Sequence, residues 1–467
     1  MQRTRIMNEI NQILTAGSVD VIIEALKRKS VCVPSWDKLI KDYEPKEHEI
    51  VTDTVTRKNK VKTDGSVEKA SRIYLGLEKL LTRRMTEFTF AIPVKRVYHN
   101  IEDNETRQSI AKAIEAIYKY ARIDAENIRR GNAYYAACEI CTIWYAVEKP
   151  NSLYGFRSKF KLKCNTYSPM DGVSLYPLFD ERGDMLAMSL EYTKKILDKE
   201  ITYFETYTAN KHYKWKQENN RSWEEVTNEP IVLMKIPAIY AYRDSAIYAD
   251  LSYIRKEIEY TLSRNSDVIA YNSAPILKVA GGMQGKEDKG ESRRVFRVEN
   301  GGDVSYVSWA QSIEALKYHV ETLTNSFWSP DISFEKMKNL GNIGYDARQT
   351  LLTDAHLKVG DEAGNWLELL DRESSIVKAF LSLMNVQWKE EIDNVDVENI
   401  ITPFIQNDEK NEIEKLTTAN GGKPILSQLE SIKALGYSND PEATLKQIQE
   451  EEAVAEESKG SINVSAF

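Results

Sequence analysis

The chain has 467 residues, 42% of them hydrophobic and 29% charged, with a net charge of −8. That is ample length for a core and sets a prior of roughly two to four domains. The composition is that of an ordinary folded protein, and the acidic balance excludes a uniformly basic DNA-coating protein. The start, MQRTRIMNEINQIL, places charges and amides where a signal peptide needs an apolar stretch. No run approaches the roughly 20 apolar residues of a membrane span, so the expectation is synthesis in the cytosol without membrane association. Four cysteines, Cys32, Cys138, Cys141 and Cys164, give no dense disulfide framework and fit a reducing compartment.

In chain order, residues 1–30 read as one or two short helices and the polar, Thr-rich 45–68 as a loop or exposed arm. A helix is predicted from Ser71 to Thr86, then the β-like FTFAIPVKRVYHN. Residues 105–147 look helical and end in an apolar run, AYYAACEICTIWYAV, that equally suits the start of a buried strand. Short alternating runs punctuated by turn dipeptides make 156–216 a β meander. Pro230 and Pro237 bracket IVLMKI, read as a buried extended segment.

Two amphipathic helices follow. In Asp244–Tyr271, Ile247, Leu251, Ile254, Ile258 and Leu262 recur every three or four residues. In Ala310–Phe327, Ile313, Leu316, Val320, Leu323 and Phe327 do the same. The two stripes are available to pack on each other, on a neighbouring subunit, or within one globular core. Between them lies a Gly- and Arg-rich β-like insert. Ser329-Pro330 ends the second helix, and a loop with Gly341 and Gly344 leads to a long helix from Asp346 to about Met384. Gly360 and Gly364 inside that helix predict a bend or close packing. VENIITPFIQ reads as a strand, 408–449 as three short helices, and the acidic tail after Glu450 as disordered.

No motif argues for catalysis. Cys138-x-x-Cys141 sits in an apolar run without a second ligand pair, so a core role outweighs zinc or redox chemistry. GGMQGKE, Gly281–Glu287, lacks the spacing and the Ser or Thr of a phosphate loop. The histidines are scattered, and His319 and His356 read as solvated side chains. No catalytic residue, metal ligand or cofactor is assigned. The segment Ile276–Arg297 is locally basic, with Lys278, Lys286, Lys289, Arg293, Arg294 and Arg297 against three acidic residues. It reads either as a solvated loop or as a docking surface, for a protein partner before DNA phosphates. Lys336 and Lys338 carry the same two readings more weakly.

The order of parts resembles the portal proteins, the head-to-tail connectors of tailed bacteriophages. The residues that carry it are PIVLMKIPAIYAYRDSAIYADLSYIRKEIEYTLSRNSDVIAYNSAPILKV with the insert, second helix, loop and long helix after it. The ending from ITPFIQNDEKNEIEKL to PEATLKQIQEEE and the β stretch YSPMDGVSLYPLFDERGDMLAMSLEYT add to it. The resemblance implies an α+β fold with a wing, a helical stem, a small α/β clip, a tunnel loop and a helical crown. Residues 1–240 would be the N-terminal wing, 241–271 and 310–328 the stem, and 272–309 the clip. The tunnel loop would be 329–345, the long helix and wing strand 346–406, and the crown with its acidic tail 407–467.

It also implies a non-enzymatic ring, commonly of twelve subunits, at one capsid vertex of the virion and assembled in the host cytoplasm. Double-stranded DNA would pass through its channel during packaging and ejection. The large terminase and later a head-completion or adaptor protein would dock at the clip, with major capsid and scaffold proteins around the ring. Lys336, Met337, Lys338 and Asn339 would line the tunnel, and Lys286, Lys289, Arg293 and Arg294 would meet docking partners. Ile247, Leu251, Ile254, Ile258, Leu316, Val320 and Leu323 would pack the stem. Two rival classes are a monomeric helical adaptor, which predicts both stripes buried within one subunit, and an enzyme of unrecognised class, which predicts a pocket with perturbed titratable groups.

Overall fold

The computed structural model describes residues 10–15, 17–61, 65–102, 104–196, 199–219, 221–272, 276–280, 283–284, 297–298, 303–307, 313–328, 352–404, 427–435 and 441–462. The chain divides into two compact units, residues 1–339 with 351–404, and residues 340–350 with 405–467. In the second unit the described helices are α10 (Gln428–Leu435) and α11 (Pro441–Ile462), which pack together.

The first unit mixes helices and antiparallel sheets. Its N-terminal part holds α1 (Val19–Leu26), α2 (Trp36–Tyr43), α3 (Glu49–Thr52) and the two-residue strands β1 (Lys60–Val61) and β2 (Val67–Glu68). Helix α4 (Leu77–Phe90) starts six residues later than expected and runs on through Phe88–Phe90, the start of the segment read as β from sequence. Thr82, Thr86 and Thr89 each turn the hydroxyl back onto the carbonyl four residues earlier, at 2.8, 3.0 and 2.8 Å. That gives each buried hydroxyl an acceptor inside the helix.

Helix α5 (Glu105–Ala121) is capped by Asn104, whose Oδ1 accepts from Thr106 and Arg107 N–H. It breaks from α6 (Ile123–Ala137) at Arg122, which takes a left-handed conformation with φ 58°. α6 ends the same way at Cys138, φ 65°, and the chain passes at once into β4 (Glu139–Asn151). The apolar run thus splits into a helix end and a buried strand. Gly131 lets α6 approach α4, for a methyl group there would stand 2.7 Å from the Thr86 side chain.

Two main sheets follow. β4 is the centre of β11-β4-β5, with β5 Ser158–Tyr167 and β11 Ala238–Tyr242. The meander β6 (Val173–Phe179), β7 (Met185–Ile196), β8 (Lys199–Tyr207), β9 (Lys211–Glu218) and β10 (Glu224–Pro230) forms the second, each strand pairing with the next. IVLMKI is not a buried strand. Met234 takes φ 54°, Val232 and Met234 are exposed, and the Met234 N–H turns back to the Ile231 carbonyl. The strand is postponed to β11, past Pro237.

The largest core lies where α4, α5, α6 and the long helix α9 (Thr353–Met384) meet β4 and β11. Trp366 of α9 sits among Phe90, Tyr134 and Tyr135 and donates to the Tyr135 hydroxyl at 2.9 Å. The strand after α9, β16 (Asp396–Ile400), pairs with β3 (Lys95–His99) across about 300 residues of sequence. α9 runs unbroken past Gly360 and Gly364, and no atom lies within 4 Å of a methyl group built on either, so close packing there is not observed.

The tail expected to be disordered is helical through Ile462. His356 is half-buried, with Nε2 3.3 Å from the Phe404 carbonyl, whereas His319 is exposed as expected. Residues 329–351 and 405–426, with the first of the three expected C-terminal helices, lie outside the described residues. Among the described residues no helix is long and apolar enough to cross a membrane.

Candidate functional site: a helix pair with a β insert

The sequence expects a helix, an insert and a second helix, and the structure supplies α7 (Ser252–Asn272), a β insert and α8 (Ile313–Trp328). α7 begins eight residues later than expected. Ile247 and Leu251 are buried in turns before it, because the Ile247 N–H donates to the Tyr135 carbonyl of α6 rather than to a helical partner. The Tyr248 hydroxyl likewise donates to the Ala136 carbonyl. Helical bonding starts with Ser252 and Arg255 donating to Tyr248 and Leu251.

Within α7, Ile258 is fully buried and Ile254 packs on the main core, so this half of the expected stripe belongs to the subunit's own interior. Towards the other end Ile269 is exposed. In α8, Leu316, Val320 and Leu323 are half-buried and Phe327 and Trp328 are buried. The two helices pack on each other, and both are rooted in the same core through Ile258 and Phe327.

The insert carries two antiparallel ladders. β12 (Ile276–Ala280) pairs with β15 (Asp303–Val307), and β13 (Met283–Gln284) with β14 (Arg297–Val298). Lys278 and Arg297 of the basic segment fall on these strands. Lys286, Lys289, Arg293 and Arg294 lie outside the described residues, as do the loop residues Lys336, Met337, Lys338 and Asn339.

Sequence reasoning missed how α7 is anchored. Arg255, Glu259, Ser263 and Asp267 recur every fourth residue and form a polar stripe beside the apolar one. Segment 71–75 lies along it in the opposite direction. Ser71 N–H donates to Asp267 Oδ1 at 2.9 Å, Ile73 N–H to Ser263 Oγ at 2.9 Å, and Leu75 N–H to Glu259 Oε1 at 2.7 Å. Alternate N–H groups facing one helix is the period of an extended chain. Arg57 ties the far end, reaching Asp267 Oδ2 at 2.7 Å, and Tyr260 donates to Asp53 at 2.7 Å.

The near end is a buried charge cluster. Arg255 Nε reaches Glu78 at 2.6 Å, Nη1 reaches Glu259 at 2.9 Å and Nη2 reaches Asp42 at 2.8 Å. His48, fully buried, places Nδ1 2.7 Å from Glu259 Oε1 and Nε2 2.8 Å from the Asp42 carbonyl. A carbonyl only accepts, so Nε2 carries a proton, and the contact of Nδ1 with a carboxylate calls for a second one between them. Burial pushes the Glu78 carboxyl up to about 7, against the pull of the Arg255 charge, and its Oε2 has no hydrogen-bond partner.

The cluster ties the root of α7 to Asp42, His48 and Glu78. Cys138 and Cys141 are fully buried, and burial pushes the Cys138 thiol up to about 12 and the Cys141 thiol higher still, which leaves both unreactive. Among the described residues no group of three His, Cys, Asp or Glu is placed to hold a metal ion.

The family model for phage portal proteins of the SPP1 Gp6-like type matches residues 28–458. No curated protein matches the sequence. Among solved structures, a chain from the neck of an empty GTA particle computed with C6 symmetry aligns over 85% of this chain and 95% of its own. Its sequence identity is 11% and the TM-score 0.38, a likeness too slight to build on.

Proposed function

The chain belongs to the SPP1 Gp6-like family of phage portal proteins, and from that premise we propose that it forms a closed ring of about twelve subunits at one capsid vertex. A ring needs heterologous contacts that close on themselves. By this reading double-stranded DNA passes through the ring in packaging and ejection. The large terminase and then a head-completion protein dock at the β insert, where Lys286, Lys289, Arg293 and Arg294 would meet them. Lys336, Met337, Lys338 and Asn339 would line the channel, and scaffold and major capsid proteins would surround the ring. Its role is mechanical rather than chemical.

The observation that carries the assembly reading is the uneven burial of the helix pair. A monomeric adaptor would bury both apolar stripes, yet Leu316, Val320 and Leu323 stay half-buried and Ile269 and Tyr318 are exposed. Those side chains are where a neighbour would pack.

Electron microscopy of the purified chain with its scaffold and capsid partners, alongside mass photometry, tests this. Closed rings of about twelvefold mass are expected. Ile269→Asp with Tyr318→Asp should leave a folded monomer that no longer closes. A substitution at Ile258 would not discriminate, because that side chain is already in the subunit's own core. A chain that stays monomeric with those partners present would return the adaptor reading.

A further inference from the structure

Away from the helix pair, β3 and the face of α5 enclose a recess of about 710 Å³. Its floor is Arg96, Tyr98 and Tyr118, and Lys95, Lys112 and Lys119 stand at its rim with Glu115 and Asp124. The Arg96 guanidinium lies over the Tyr118 ring, 4.0 Å from its centre, which fixes the plane of the group. Arg96 Nη1 has only a long 3.5 Å contact with the Val94 carbonyl. Nε and Nη2 are buried and have no hydrogen-bond partner, and neither has the buried Tyr98 hydroxyl.

Nε and Nη2 are the two parallel donors with which arginine grips a carboxylate or a phosphate side-on. Two buried charged donors and a phenol without an acceptor carry a large desolvation cost. The chain offers two remedies. Asn399, the register partner of Arg96 on β16, has an unpartnered Oδ1 that can take one N–H. Glu115 is the only carboxylate at the rim whose charge acts on Tyr98. Neither meets all three donors at once. Burial pushes the Tyr98 hydroxyl up to about 12, so it stays a donor at physiological pH.

We propose that this recess binds an oxyanion, with the Arg96 fork and the Tyr98 hydroxyl as its direct contacts and Lys95, Lys112 and Lys119 as a screen of positive charge. Four cations face two carboxylates there, so a singly or doubly charged group is balanced. The same chemistry is presented by a free phosphate and by an Asp or Glu side chain of another polypeptide.

The full chain is titrated with sodium phosphate, and separately with sodium succinate, at ionic strength held constant with chloride, and its melting temperature is followed. A saturable rise over the chloride control is expected. Arg96→Lys keeps the charge and loses the fork, and should weaken the midpoint by at least about tenfold; its melt in chloride alone reports folding. If that variant does not melt cooperatively, Tyr98→Phe carries the test, since loss of one donor must shift the midpoint. Succinate acting as strongly as phosphate assigns the recess to protein carboxylates. Phosphate acting alone assigns it to phosphate groups, and both results uphold the site. No rise above chloride, an unchanged midpoint in both variants, or a rise confined to Glu115→Gln overturns it, because Glu115 is then the acceptor that Arg96 already uses.

Discussion

Two buried arginines hold this subunit together, and they differ in how many carboxylates each must serve. Arg130 of α6 faces one, Glu373 of α9, with both side chains fully buried. The guanidinium meets it with Nη2 at 2.5 Å and Nη1 at 3.3 Å, Nε turns to Thr142, and Trp144 donates to the same carboxylate at 2.9 Å. One positive charge meets one negative charge. Arg255 at the root of α7 faces three carboxylates, Glu78, Glu259 and Asp42, with His48 alongside. The first cluster is electrically closed, whereas the second has a surplus of acid, and burial pushes its Glu78 carboxyl up to about 7. A neutral pair behaves as a fixed clamp; a surplus makes the anchor sensitive to pH.

Breaking the closed pair should have the largest effect. Arg130→Met strands Glu373 in the core and is expected to cost about 3–5 kcal/mol in chemical denaturation. The double variant Arg130→Met, Glu373→Leu should recover much of that loss. If it does not, the pair is not electrically independent of its surroundings and the contrast with Arg255 fails.

Next comes Glu78. Its carboxyl is raised in the folded chain, from an ordinary 4.5 to about 7, so between those values the folded state holds a proton that the unfolded state has released. The associated stability is full below about pH 4.5 and is lost as pH rises through 7, by roughly 3 kcal/mol in all. Glu78→Gln should match the wild type near pH 5, exceed it at pH 8, and show a flatter stability profile between. A steeper profile in the variant would mean that another member of the cluster takes up the proton.

The smallest effect is expected at the far end of the stripe. Asp267→Ala removes the carboxylate that accepts from the Ser71 N–H and pairs with Arg57; a hydrogen bond to a charged group is worth about 1.5–3 kcal/mol, at the low end here because the Asp267 side chain is one-third exposed. Because Arg255 and Glu259 still hold the other end, the global melt should barely move. Amide exchange at Ser71 and Ile73 should quicken instead. Equal protection in both proteins would show that the segment is held by something other than the stripe.

Much of the element order was legible because it rests on local signals. The two apolar stripes of α7 and α8, the β insert and the meander each follow from periodicity within a dozen residues. The resemblance to portal proteins drew on that same order. The anchoring of α7 was not legible, because its partners, Asp42 to Glu78, lie roughly 200 residues away, where 45–68 reads as a loop or exposed arm and 71–86 as a helix. One signal was present: Arg255, Glu259, Ser263 and Asp267 share one face, and a polar face that regular on a helix that is also apolar asks for a partner. The start of α7 was misplaced for a related reason. Ile247 and Leu251 fit the helical period, but Ile247 spends its N–H on α6.

The segment laid along α7 behaves as a vernier. Two residues of extended chain advance about 6.6–6.8 Å, while four residues of helix advance about 6.0 Å and turn some 40° beyond a full circle. Each rung therefore slips by roughly 0.7 Å against the last. From Leu75 to Ser71 there are three rungs and two such steps, and acceptors of different reach, Glu259, Ser263 and Asp267, take up the slip so that all three bonds stay between 2.7 and 2.9 Å. The graded reach of those acceptors keeps the two scales matched over this stretch. Inserting a single residue between Ser71 and Leu75 would put half the scale out of phase and turn its N–H groups away from the helix.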